Sequence, residues 1–299
     1  MTPPRRSAPI LLSLLAAGLL AGCITSITGP TADFREVLLQ GEGSDKLLMI
    51  DIAGPIDNTP ILVPGLGVLP GMTARVRQEL ELAYDDPSIH GILLRINSPG
   101  GTLTDSDIIY HSLLEFKKSK KVKIVAAMED IAASGALYIS MAADEIYAHP
   151  TTITGSIGVI VPHLNYSALF RKLGIESDPV TSGPYKDMDD PYKPRNEDER
   201  KLMQQLVNAQ YEKFLDVVKA GRPQMSTQEV RKIADGRIVS SQEAREKGLI
   251  DKIGYLDDAY RRLSELSGFP KNSLVRYANA WQTGNNIYSN TFPVELFGN

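Results

Sequence analysis

The chain of 299 residues carries 32 lysines and arginines against 36 aspartates and glutamates, a formal net charge of −4 at pH 7. This balance argues against nucleic acid as a partner, because phosphate binding requires a basic face. The length allows one large domain or two small ones, and the single cysteine excludes a disulfide within one molecule.

The first residues have the order of an export signal. Arg5 and Arg6 precede a short apolar run that ends in LAGC at residues 20–23. This order is typical of a secretory signal, and the run is shorter than the roughly 20 apolar residues of a membrane span. The LAGC sequence resembles a bacterial lipobox, which implies removal of residues 1–22 as a lipoprotein signal peptide and lipidation of Cys23.

A lipidated Cys23 would hold the protein at a membrane surface without a spanning helix. Residues 23–45 are rich in polar and small side chains and are predicted to form the lipid-anchored tether. The folded domain is predicted to cover residues 46–265, followed by a C-terminal tail at 266–299. Ile24 stands where an aspartate commonly retains lipoproteins at the inner membrane. We therefore expect a periplasm-facing protein of the cell envelope, with the outer membrane favoured over the inner one.

Strand-like and helix-like runs alternate along the body of the chain. Three β-rich runs bounded by turn residues are KLLMIDIAG at 46–54, IHGILLRINS at 89–98 and KVKIVAAM at 121–128. A segment with apolar residues near helical spacing lies between the last two, which predicts a parallel βαβ unit. The later predicted elements are a strand at 155–160 and helices at 166–175, 196–220 and within 241–251. The sequence therefore predicts an α/β domain with additional helices in its C-terminal half.

Two details of this prediction concern exposed and irregular segments. Leu202 and Leu206 are expected on the same broad apolar face of the long helix as Phe214. Residues 54–72 contain four prolines and four glycines, so they are predicted to form an irregular loop that packs on the core. The glycine spacing in this loop does not match a dinucleotide-binding turn.

A single serine, Ser134, stands between the third β-rich run and a helix-like segment at 137–146. Serine is a favoured N-cap residue, so capping is one interpretation. A nucleophile is the other, because Gly135 can present its amide beside the hydroxyl at the positive end of the helix. The INSPGG turn, which ends at Gly101, could supply a second amide to an oxyanion.

A serine nucleophile needs a base, and the residues alone leave its identity open. The chain has four histidines, none in a recognisable triad setting: His90, His111, His149 and His163. Lys186 lies in a turn-rich segment and would act as a base only if desolvation lowered its pKa. Without such an environment it would be a solvated surface charge.

Three blocks, in this order, resemble signal peptide peptidase A in its short, single-repeat bacterial form. They are INSPGG at 96–101, AASGALYISMAADEIYAHPTTITGSIGV at 132–159 and SGPYKDMDDPYKP at 182–194. The resemblance implies a ClpP/crotonase-like fold and a Ser-Lys dyad in which Ser134 is the nucleophile and Lys186 the general base. It also implies that Gly101 and Gly135 are oxyanion-hole donors and that no metal or organic cofactor is needed.

The resemblance further implies an endopeptidase that cuts unfolded peptides, such as cleaved signal peptides. It implies a homo-oligomeric ring in which serine and lysine meet between neighbouring protomers. The chain departs from the family at Ala136, where a second glycine is usual, and in its lipid anchor, where a membrane helix is more common. Two alternatives remain at this stage: a catalytically silent envelope scaffold and a crotonase-type acyl-CoA enzyme.

Overall fold

A computed structural model of the protein describes residues 34–63, 67–278 and 284–289. The strands of this part of the chain are β1 Arg35–Gly41, β2 Asp45–Ala53, β3 Ile61–Val63, β4 Gly67–Leu69, β5 Ile89–Ser98, β6 Lys123–Ala133, β7 Glu145–Ala148, β8 Ile153–Gly155, β9 Ile238–Ser240, β10 Lys252–Ile253 and β11 Asn272–Ala278. The helices are α1 Met72–Asp85, α2 Leu103–Lys120, α3 Gly135–Ser140, α4 Ser167–Lys172, α5 Glu197–Gly221, α6 Thr227–Ile233, α7 Ser241–Glu246 and α8 Leu256–Ser267.

One mixed sheet organises these elements, in the order β1-β11-β2-β5-β6-β7-β10, with β8 joined to β6 and β9 joined to β8. The neighbours β2, β5, β6 and β7 run parallel, and α2 connects β5 to β6. The predicted α/β class and its βαβ unit are therefore confirmed. Beyond the sheet, β3 and β4 form a separate antiparallel hairpin inside the Pro/Gly-rich loop.

Helices cover both faces of the sheet, which explains why its central strands are apolar on both sides. One face packs on α1, α2, α3 and α5 through a large cluster that includes Val76, Leu113 and Phe214. The other face packs on α8 through a smaller cluster that includes Leu263. Successive side chains of β2 point to opposite faces of the sheet, so Leu48 joins the first cluster and Leu47 the second. No helix in the described ranges has the length and hydropathy needed to cross a bilayer.

The sheet extends beyond the limits predicted for the folded domain. Strand β1 falls within the segment predicted to be a tether, and it pairs antiparallel with β11, which falls within the predicted tail. Residues 284–289 also contact the core: Arg95 donates to the carbonyl oxygens of Ile287 at 2.6 Å and Ser289 at 3.0 Å. The folded body therefore begins before residue 46 and continues past residue 265. The signal segment and Cys23 lie outside the described residues.

Two local predictions are wrong, and both errors occur at sharp turns. The helix predicted at 137–146 ends at Ser140, and residues from Glu145 onward form β7. The strand predicted at 155–160 ends at Gly155, because Gly155 and Ser156 both adopt positive φ, at 88° and 52°. Left-handed backbone cannot continue a strand, so the chain leaves the sheet at that point.

Two buried ion pairs involve α1 and the sheet. Glu79 pairs with Arg75 within α1 at 2.7 Å, and Arg95 of β5 pairs with Asp51 of β2 at 2.6 Å. Burial raises the pKa of Glu79 from 4.5 to about 7, although Arg75 opposes the rise. The folded state therefore holds the Glu79 proton more tightly than the unfolded state does.

The free energy of unfolding should consequently fall as the pH rises from about 4.5 to about 7, because a folded-state carboxyl with a raised pKa disfavours folding once it ionises. In Glu79→Gln this part of the pH dependence should disappear. Urea melts at several pH values across that interval will measure it. Glu81→Gln, an exposed change on the same helix, should keep the wild-type slope.

Candidate active site

The candidate site lies where β5 and β6 end side by side. Ser98 pairs with Ala132 in the sheet register, so the turn after β5 and the bend after β6 are neighbours. The turn is held by a short bridge to Ile56, whose amide donates to the Gly100 carbonyl at 2.9 Å. The Ile56 carbonyl in turn accepts from the Thr102 amide at 2.9 Å. The Pro/Gly-rich loop thus fixes the glycine turn in place.

Ser134 occupies the bend after β6 in a strained backbone conformation, with φ 54° and ψ −120°. Such a conformation costs a non-glycine residue of order 1–3 kcal/mol and persists only where its surroundings impose it. Here the Ser134 amide donates to the Gly155 carbonyl at 2.9 Å, and its carbonyl accepts from the Tyr138 amide at 3.0 Å. Because the side chain accepts no capping hydrogen bond from α3, the interpretation of Ser134 as a helix cap is wrong.

Glycines allow the two turns to touch. A Cβ on Gly100 would lie 2.8 Å from both the Gly135 amide nitrogen and the Ser134 Cβ. A Cβ on Gly101 would collide with the backbone of Ile56, and one on Gly135 would collide with the Ser106 hydroxyl oxygen. The site therefore brings three of the four predicted residues together, namely Ser134, Gly101 and Gly135.

The amides of Gly101 and Gly135 are available to bind an oxyanion. Neither amide donates a hydrogen bond to another group within the described ranges of the chain. The Gly101 nitrogen lies 3.3 Å from the position that a Cβ on Gly135 would take, so the two donors stand close to each other. The positive end of α3 begins at the same point, and that also favours negative charge.

Ala136 is accommodated without strain, although a glycine was expected there. It is fully buried in the first turn of α3, and its φ is not positive. An alanine is a better helix former than glycine at such a position. The departure from the family sequence therefore leaves the geometry around Ser134 intact.

Lys186 lies on a different part of the chain, in the turn at 184–189 between α4 and α5. Its side chain is exposed, and its amide donates to the Gly183 carbonyl at 3.2 Å. No hydrogen bond joins the Ser134 and Lys186 side chains within the part of the chain that the structure covers. The single chain therefore presents Ser134 and the amides of Gly101 and Gly135 as one group that has no hydrogen bond to the Lys186 side chain.

The residues around Lys186 form an exposed segment, 156–196, which we call the arm. Ile157 is buried in the core, but most of the other large apolar side chains of the arm are uncovered, and the most exposed are Ile160, Leu164, Leu169, Leu173 and Val180. On the adjoining α5, Leu202 and Leu206 are also exposed, whereas the buried apolar side chains begin at Phe214. Of the apolar face predicted for this helix, only the part from Phe214 onward therefore joins the core of the single chain.

The histidines are engaged elsewhere. His90 lies 2.9 Å from Asp45, His111 lies 3.3 Å from Glu115, and His163 lies 2.5 Å from Asp189. His149 bonds Thr151 at 2.8 Å. None of these contacts involves Ser134. Among the described residues, no group of histidine, cysteine and carboxylate side chains has the arrangement of a metal site.

Sequence reasoning missed two residues that support the site. Ile56 fixes the glycine turn through its backbone, and Ser106 lies against Gly135 while its hydroxyl donates to the Thr102 carbonyl at 2.8 Å. Ile56 holds the turn through its main chain alone, so the identity of its side chain does not indicate this role in the sequence. Ser106 looks like any polar residue near the start of a helix, and only the packing of α2 beneath α3 distinguishes it.

The sequence of the chain is similar to those of known peptidases. The family model described as Peptidase family S49 matches residues 116–269. A protein of Enterococcus faecium named as signal peptide peptidase SppA is 36% identical over 82% of this chain and 70% of its own length. A protein of Methanocaldococcus jannaschii named as a protease is 33% identical over 90% of this chain and 83% of its own.

Among solved structures, the ClpP1 N165D mutant from Listeria monocytogenes is similar with a TM-score of 0.45 and 16% identity, covering 71% of this chain and 93% of that one. The family assignment comes from the sequence comparisons: the family model matches residues 116–269, and the two relatives align over 82% and 90% of the chain. The chain is therefore a serine peptidase that belongs to peptidase family S49, the family of signal peptide peptidase A.

Proposed function

We propose that the protein is a membrane-tethered endopeptidase in which Ser134 attacks peptide bonds with Lys186 as its general base. The observation that carries this proposal is the state of Ser134. Its backbone is held in a strained conformation, its hydroxyl is not used for capping, and two free amides lie beside it. A structural serine has no need of that combination, whereas a nucleophile does.

The proposed reaction has two stages. The neutral amine of Lys186 takes the proton of the Ser134 hydroxyl as the oxygen attacks the peptide carbonyl, and the amides of Gly101 and Gly135 hold the oxyanion. The ammonium of Lys186 then returns the proton to the leaving amine. Water next attacks the acyl-enzyme while the same lysine takes its proton, and the lysine returns that proton to the Ser134 oxygen as the ester bond breaks and the second product leaves.

The base is proposed to come from a neighbouring subunit. Lys186 belongs to the arm, most of whose large apolar residues are uncovered in the single chain, and a surface of this kind favours association. Docking the arm on a second copy would bury those residues and place Lys186 in a drier environment. Desolvation disfavours the ammonium and lowers the pKa of a lysine, which is the condition for its use as a base. A ring of subunits joined head to tail would supply one lysine to each serine.

The proposed substrates are unfolded peptides bound in extended form, including cleaved signal peptides. The enclosed interior of a ring would admit such chains and exclude folded proteins. We further propose that a lipid on Cys23 anchors the body to the envelope, with the site facing the periplasm and the outer membrane favoured. A membrane-held peptidase would meet apolar peptides where they leave the bilayer.

Mixing two inactive variants tests the shared site. Full-length Ser134→Ala and Lys186→Ala proteins, purified separately, should each be inactive on an unstructured fluorogenic peptide. After subunit exchange, roughly one interface in four of a head-to-tail ring would pair an intact serine with an intact lysine. We therefore expect the mixture to recover about that share of wild-type activity. Exchange without any recovery, monitored with differently labelled subunits, would contradict a dyad formed between subunits.

A further inference from the structure

An ion pair and two hydrogen bonds hold the end of the turn that carries Lys186 against the beginning of the arm. Three contacts join residues 163–166, near the beginning of the arm, to residues 189–193, at and just after the end of the turn: His163 Nδ1 to Asp189 Oδ1 at 2.5 Å, Asn165 Nδ2 to the Lys193 carbonyl at 2.9 Å, and the Tyr166 amide to the Pro191 carbonyl at 2.7 Å. Asp189 takes positive φ, at 71°, within this frame. The turn is therefore a built feature of the arm.

A fourth connection runs from the turn to α5. Lys193 Nζ lies 2.8 Å from Asp187 Oδ1 and 2.7 Å from Glu199 Oε1. Glu199 is buried in the first turn of α5, where a carboxylate also suits the helix dipole. Asp187 directly follows Lys186 in the chain. One ammonium thus ties the residue next to the proposed base to the start of the longest helix.

The same contact has an electrostatic consequence. An unpaired carboxylate on Asp187 would favour the charged form of a nearby lysine, and a general base must be neutral. The hydrogen bond from Lys193 lowers the pKa of Asp187, and Asp187, with Glu199, raises the pKa of Lys193. The negative charge of Asp187 is therefore balanced by Lys193 and not by Lys186.

We propose that Lys193 is a positioning residue for catalysis: it holds the turn of Lys186 against α5 and cancels the charge of the carboxylate beside the base. This inference rests on the proposed function, in which Lys186 takes the proton from Ser134. It assigns the second lysine of the SGPYKDMDDPYKP block a role that neither fold nor sequence comparison provides.

Other charges face the same place and enter the design of the test. Five further charged or titratable side chains line the same hollow as Lys193: Asp189 and Asp190 at the end of the turn, His163 near the beginning of the arm, Arg195 just before α5, and Arg200 in the first turn of α5. Asp189 is paired with His163. Removing Lys193 alone would also leave Glu199 buried without its partner, so the two are changed together.

The pH profile of kcat/KM separates the electrostatic role from a purely structural one. In full-length Lys193→Met/Glu199→Gln, the acidic limb should move up by about one pH unit, because a newly unpaired Asp187 favours the Lys186 ammonium. At a pH below that limb, kcat/KM should fall about tenfold. Adding Asp187→Asn should return the limb to its wild-type position. Lys193→Arg, which keeps the positive charge, should preserve the limb.

The contrary outcomes are distinct. The inference is wrong if the acidic limb of the kcat/KM profile lies at the same pH in the double and the triple variant. It is also wrong if activity falls equally at every pH while the melting temperature drops, because Lys193 then has only a structural role. If Lys186→Ala keeps its activity, the proposed function itself fails and this inference fails with it. Lys201→Met, which removes an exposed ammonium one turn along α5, controls for the loss of a positive charge.

Discussion

Ser134→Ala should lower kcat for peptide hydrolysis by about 10⁴- to 10⁶-fold, the range seen when a serine nucleophile is removed and only substrate binding and the oxyanion donors remain. The overall fold should be retained, because the side chain makes no capping bond whose loss would weaken α3. Alanine at this position also keeps the same unfavourable backbone conformation as serine. Cleavage of an unstructured peptide and labelling with a fluorophosphonate probe are the two measurements.

Two matched variants make this result specific. Ser112→Ala removes an exposed helical hydroxyl that bonds only its own helix, at the Ile108 carbonyl, and should retain full activity and labelling. Ser134→Gly should be as inactive as Ser134→Ala but more stable by about 1 kcal/mol, because glycine adopts positive φ without a steric penalty. Substantial hydrolysis by Ser134→Ala, or labelling that persists in it, would show that another residue is the nucleophile.

Gly101→Ala should lower kcat/KM by about 10²- to 10³-fold, as expected when an oxyanion donor is displaced. The new Cβ would collide with the backbone of Ile56, and a backbone cannot rotate away as the end of a side chain can. The turn must therefore move away from its bridge, and its amide moves with it. The loss should fall mainly on kcat, because the oxyanion forms in the transition state. Steady-state kinetics on the same peptide will measure it.

Gly91→Ala is the matched control because it lies in the same strand, β5, at the opposite end from the site. A Cβ there would lie 3.0 Å from terminal methyl groups of Leu47 and Leu263, which can shift. We expect a modest loss of stability and an unchanged kcat. If Gly101→Ala lost stability in the same way but kept its kcat, the Gly101 amide would have no part in binding the oxyanion.

The features that the sequence predicted best are those that depend on residues adjacent in the chain. The runs at 89–98 and 121–128 are strands because their residues are apolar on both faces and are closed by turn residues, and both are local properties. Ser134, on a bend and followed by Gly135, is likewise visible in a short run of consecutive residues. The α/β class, the βαβ unit and the long α5 helix could all be predicted on that basis.

The remaining features depend on contacts between distant parts of the chain. Strands β1 and β11 are recognisable only through their pairing, and the position of the glycine turn depends on a bridge from Ile56. Leu202 has the spacing of a core residue, yet in the described part of the chain it stays exposed, since periodicity reports an apolar face and not what packs against it. A base for Ser134 could be proposed from a resemblance but not from spacing.

The backbone of Ser134 and the arm share one peptide group. The carbonyl that accepts the Ser134 amide belongs to Gly155, and the next residue, Ser156, is the first of the arm and is itself left-handed. The 155–156 peptide cannot rotate without breaking the hydrogen bond that restrains the backbone of Ser134. In the proposed assembly, docking of the arm on a neighbouring subunit would therefore act on Ser134 through this one peptide group. Under that proposal an isolated subunit is latent, and proteolysis begins only as the assembly closes.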